Sequence, residues 1–116
     1  MNLLDLMRTP PIRKRVDPDE PVLLTSPDEE LILPHPRMAW DSARIQLHQQ
    51  TDGLWMWATS FGTSQRGSGY AIGAKWGNFA ETRDDALHWA IQELSGRLKP
   101  EIPEEKRICT WLQTLH

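Results

Sequence analysis

Apolar and polar residues alternate most clearly from Ser42 to Gln50, with Ala43, Ile45 and Leu47 on one side and Arg44, Gln46 and His48 on the other. A period of two with one polar face predicts a half-buried strand. Thr51-Asp52-Gly53 follows, and Asp-Gly predicts a tight turn because glycine accepts the positive φ that short hairpins require. The second strand is expected over Leu54 to Phe61, with Trp55, Trp57, Thr59 and Phe61 on one face and Leu54, Met56, Ala58 and Ser60 on the other. A polar loop from Gly62 to Gly69 leads to a third expected strand, Tyr70 to Trp76, and Gly77-Asn78 reads as another turn.

The period then changes. Leu87, Ala90, Ile91, Leu94 and Leu98 recur at helical spacing. Thr82 supplies an N-cap oxygen, and Asp84 and Asp85 suit the positive end of the helix dipole. Trp89 lies off this stripe. A second apolar stripe, Ile108, Trp111, Leu112 and Leu115, follows Pro103 and the acidic pair Glu104-Glu105, which predicts a short C-terminal helix. That helix is expected to cover Trp89 or the open end of the sheet; failing that, Trp89 and Trp111 form a protein-binding or self-association surface. The expected fold is α+β: a three-stranded antiparallel meander covered by one helix (β-β-β-α), with an extended N-terminal arm and a short C-terminal helix.

Proline and glycine mark the boundaries. All nine prolines lie up to Pro36 or from Pro100 onward, and all seven glycines lie between Gly53 and Gly96. The chain therefore divides into an arm (1–37), a compact domain (38–99) and an appendage (100–116). Met1 to Met7 allows a turn or two of apolar helix before Pro10-Pro11, followed by the basic cluster Arg13-Lys14-Arg15. The arm also contains a near-repeat: Pro18-Asp19-Glu20-Pro21-Val22-Leu23-Leu24 returns as Pro27-Asp28-Glu29-Glu30-Leu31-Ile32-Leu33. Two uses of these aliphatic triplets are open. Val22, Leu23, Leu24, Leu31, Ile32 and Leu33 either lie on the domain's own apolar face as short extended segments, or dock on a partner by strand addition or groove filling.

Composition narrows the class. A net charge of −3, from 13 basic and 16 acidic residues, argues against a general nucleic-acid-coating protein. The one cysteine, Cys109, cannot form an internal disulfide, and the N-terminus is too short and interrupted for a signal peptide or membrane span, so a cytoplasmic protein with no membrane association is expected. Gly67-Ser68-Gly69 leads into an expected strand rather than a helix, which removes the helix N-terminus that a phosphate loop uses. His35, His48, His88 and His116 are scattered, Ser60, Ser64 and Ser68 lack a nucleophile-elbow context, and Asp84 and Asp85 are accounted for by the helix start. No enzyme, metal site or cofactor is expected.

The segment Thr82-Arg83-Asp84-Asp85-Ala86-Leu87-His88-Trp89-Ala90-Ile91-Gln92-Glu93-Leu94 resembles the helix of HicB-type antitoxin domains, which are similar to a partial double-stranded-RNA-binding fold. The resemblance covers about residues 43–98 and implies a β-β-β-α module that binds and blocks a small toxin. A short, tryptophan-rich chain with an extended arm is also similar in style to accessory proteins of phages and plasmids, including inhibitors of host defence complexes. The expectation is a non-enzymatic protein-binding module, an inhibitor or regulator from a mobile genetic element, whose contacts are the aliphatic triplets with Trp89 and Trp111. The alternative is a nucleic-acid-binding regulator using Arg13, Lys14, Arg15, Arg66, Lys75 and Arg83.

Overall fold

The computed structural model describes residues 11–13, 27–73 and 78–115. Within them six strands precede two helices: β1 (Ile12–Arg13), β2 (Glu29–Pro34), β3 (Asp41–Gln49), β4 (Trp55–Gly62), β5 (Gly67–Gly69), β6 (Asn78–Ala80), α1 (Arg83–Arg97) and α2 (Pro103–Gln113). The sheet is antiparallel in the order β1-β6-β4-β3-β2, with β5 also paired to β4. The class is α+β, a meander with helices packed on it.

The period-two pattern explains the main layer. Ile45 faces Thr59 and Leu31 across the ladders, and Leu47 faces Trp57. These side chains, with Ala43 and Phe61, meet the Leu87, Ala90, Ile91, Leu94 and Leu98 stripe of α1 in one core, which Ile108 and Leu112 of α2 complete. Leu31 and Leu33 pack on its edge, while Ile32 points to the other face and is exposed. The second copy of the near-repeat is thus the third long strand of the meander, inside the stretch that composition marks as arm. Val22, Leu23 and Leu24 lie outside the described residues, as do Met1 to Met7, Lys14 and Arg15.

The expected strand over Tyr70–Trp76 needs correction. Tyr70 to Gly73 form no ladder and 74–77 lie outside the described residues; β4 is paired instead by Gly67–Gly69 and by Asn78–Ala80. Local alternation around Tyr70 missed a steric opportunity. A Cβ at Gly69 would sit 2.2 Å from the Ser60 Cβ, so the glycine run approaches β4 where a side chain has no room. Met56, Ala58, Ile72 and Phe79 then form a second small core on the other face of β4.

Local signals account for the ends. Gly53 takes φ +90°, its N–H donates to the Gln50 carbonyl, and the Asp52 carboxylate accepts from the Leu54 N–H. The Thr82 hydroxyl accepts from the Asp85 N–H at 3.1 Å, capping α1, and Pro103 opens α2.

Candidate functional site

Three segments far apart in sequence meet at the end of the sheet away from the Asp52-Gly53 turn. They are the β2–β3 connection, the β4–β5 turn and the first turns of α2. Together they enclose a cleft of about 340 Å³ lined by His35, Pro36, Arg37, Met38, Ser42, Thr63, Ser64, Glu104 and Arg107.

His35 organises the first segment. Its side chain is only 6% exposed. Nδ1 accepts from the N–H groups of Arg37 and Met38, each at 3.0 Å, so the neutral ring carries its proton on Nε2, which faces Glu104 Oε2 at 3.2 Å. Glu104 also accepts from the Ser64 N–H at 2.9 Å and from the Ser64 hydroxyl. These donors, the serine first, hold its carboxyl below the ordinary carboxylate range. The 63–66 turn is closed by Thr63, whose hydroxyl accepts from the Arg66 N–H and donates to the Arg66 carbonyl. Arg107 reaches back from α2, donating to the Ser42 hydroxyl at 3.1 Å and the Pro34 carbonyl at 3.2 Å.

Trp40 lies beside this cleft. Its indole rests on Gly62, where an added Cβ would come within 2.9 Å of Trp40 Cδ1, and its ring meets His35 edge-on with centroids 6.1 Å apart. Even so, Trp40 is 49% exposed and Met38 37% exposed. Among the described residues the exposed large apolar side chains are these two and Ile32. A loop held by a buried imidazole and a glycine seat therefore presents a tryptophan and a methionine to solvent, next to a cleft.

Among the described residues the expected basic patch is not assembled. Arg66 donates from Nε at 3.1 Å, and from Nη2, to the buried carboxylate of Glu105, and it also caps the Arg97 carbonyl at the end of α1. Arg83 donates from Nε to Glu29 at 2.9 Å and also meets Asp84, at the start of α1. The two guanidiniums thus sit at opposite ends of a 15-residue helix, about 20 Å apart. Lys75 lies outside the described residues, and Arg13 is placed only as backbone of β1. Trp89 and Trp111 are both half-buried against the main core, with Trp89 edge-on to His88 at 4.8 Å.

Glu93 forms a third polar centre, accepting from the Thr59 hydroxyl and the Tyr70 hydroxyl, each at 2.7 Å, with Arg97 at 3.3 Å. Burial, and the carboxylate beside it, push the Tyr70 hydroxyl up from its ordinary value. This network ties α1 to β4. Among the described residues no group of three or more His, Cys, Asp or Glu side chains is placed to hold a metal, and no helix is long and apolar enough to cross a membrane. Comparison with known proteins found no matching family model, no matching curated protein and no matching solved structure.

Sequence reasoning passed over Arg37, Met38, Trp40 and Arg107. The one available signal was Met38-Ala39-Trp40, an apolar run stranded between prolines and the first strand, outside any period.

Proposed function

We propose that the protein is a non-enzymatic protein-binding module whose contact surface is the loop from Pro36 to Trp40 with the adjoining cleft. One observation carries this reading: Trp40 and Met38 stay exposed on a loop whose backbone is already fixed by His35. Tryptophan and methionine are enriched at protein interfaces, and a pre-ordered loop loses little conformational entropy on binding. A role as inhibitor or regulator rests, for a toxin as target, on the resemblance of Thr82–Leu94 to HicB-type helices and, for a host defence protein, on the likeness in style to phage and plasmid accessory proteins. The exposure of Met38 and Trp40 favours this loop and its cleft as the contact surface for such a target.

The test is site-specific photocrosslinking in the native host, with benzoylphenylalanine at Met38 or Trp40 and, as a control, at exposed Gln113. A single protein adduct from positions 38 and 40, absent from 113, is expected. Adducts to nucleic acid, or equal labelling from all three positions, would overturn the reading.

A further inference from the structure

Six arginine side chains are described, and four are matched to carboxylates: Arg44 to Asp41, Arg66 to Glu105, Arg83 to Glu29, and Arg97 to Glu93. The remaining two, Arg37 and Arg107, have no carboxylate partner among the described residues, and both line the same cleft. Scarcity of acid does not explain this, because the chain has 16 acidic residues against 13 basic ones. Glu104, the cleft's one carboxylate, is engaged by Ser64 and His35. Two guanidiniums against one carboxylate leave the cleft with a single excess positive charge beside an apolar wall.

We infer that the cleft takes an acidic peptide segment of a partner protein, with one Asp or Glu carboxylate between Arg37 and Arg107 and a neighbouring large apolar side chain against Met38 and Trp40. This rests on the reading of the loop as a contact surface and adds the chemistry of what it meets. A guanidinium with unfilled donors matches a carboxylate in geometry and charge, and desolvation beside Trp40 strengthens that pairing. One carboxylate neutralises the single excess charge, whereas a phosphate dianion would leave the cleft net negative. Arg107 is already oriented by Ser42 and Pro34, so ordering it on binding costs little, whereas Arg37 is a solvated arm free to close over the ligand.

The probes are two sets of short fluorescent peptides, each carrying Leu, Phe or Trp. One set has Asp or Glu nearby, and the other has Asn or Gln in the same places. Anisotropy titrations with the full chain are expected to show the acidic set binding about tenfold more tightly, an advantage that shrinks with added salt. Arg37→Glu, at a side chain with no bond to lose among the described residues, should cancel that advantage, while Trp40→Ala should weaken both sets. Arg107→Gln should do the same as Arg37→Glu, with a thermal melt to establish that it folds. If both sets bind alike and Trp40→Ala weakens both, the acidic preference is wrong and the contact surface stands. If Trp40→Ala changes neither set, the contact surface itself fails. A poly-dT oligonucleotide that binds more tightly than any peptide and displaces it would overturn the inference in favour of single-stranded nucleic acid stacking on Trp40.

Discussion

His35 illustrates how much one side chain can arrange. Its Nδ1 stands where a backbone carbonyl would close a turn, and its Nε2–H reaches α2 through Glu104. Asparagine places an oxygen near the position of Nδ1; alanine places nothing there. His35→Ala should therefore release the Met38–Trp40 loop and shift the Trp40 indole N–H resonance toward its solvent-exposed position, whereas His35→Asn should keep most of the native shift. Gly62→Ala should move the same resonance without unfolding the protein, because the added methyl enters the Trp40 seat. An unmoved Trp40 signal in both His35→Ala and Gly62→Ala would mean that neither contact holds the loop. Little of this was legible in the sequence. His35 was one of four scattered histidines, and its partners are two backbone amides and a carboxylate 69 positions away.

At the scale of elements, the helices are fastened by carboxylates that the sequence assigned to another task. Glu104 and Glu105 are first-turn acids favourable to the dipole of α2. Glu105 is also buried, accepting from Arg66 and from the Lys99 N–H at 3.0 Å, and so it joins the end of α1, the start of α2 and the β4–β5 turn. Removing it leaves those donors unmatched, and Glu105→Ala should cost about 2–3 kcal/mol in urea unfolding. Arg66, chiefly through its hydrogen bond, holds the Glu105 carboxyl below its ordinary range, and Arg83 does the same for Glu29. A carboxyl depressed in the folded state binds protons more readily when unfolded. Its stabilisation is therefore complete above the unfolded pKa, about 4.3, and is lost as pH falls through the lower folded value. Thermal stability should fall below about pH 4. Glu105→Gln should flatten that acid limb; an unchanged limb would mean that Glu105 does not contribute to it. The strand periods and the Thr82 cap were legible because each is written within a few consecutive residues. The pairing of Arg66 with Glu105 spans 39 positions, and no periodicity records it.

For the molecule as a whole, β2 decides where the folded unit begins. Proline content put the boundary after residue 37, yet Glu29–Pro34 pairs with β3 along its length, and Glu29 holds the start of α1 through Arg83. Deleting residues 1–37 should therefore expose the flank of Ile45 and Leu47 and lower the melting temperature by roughly 10 °C or more, with aggregation, rather than merely remove a contact arm. A truncated chain that melts like the full one would show β2 to be dispensable. Proline disfavours the interior of a sheet, but among the described residues β2 is the outermost strand, and its prolines, Pro27 and Pro34, fall before it and at its last position.

The turn at Thr51-Asp52-Gly53 has a practical use. It caps the end of β3 and β4 that lies about 26 Å along the strands from the cleft, and Thr51 is exposed. Cys109 is half-buried, and burial raises its thiol above the ordinary value, which slows its alkylation. A Thr51→Cys variant would thus offer one fast-reacting thiol for anchoring the protein to a sensor surface. Immobilised this way, every molecule would turn Trp40 toward the flowing analyte.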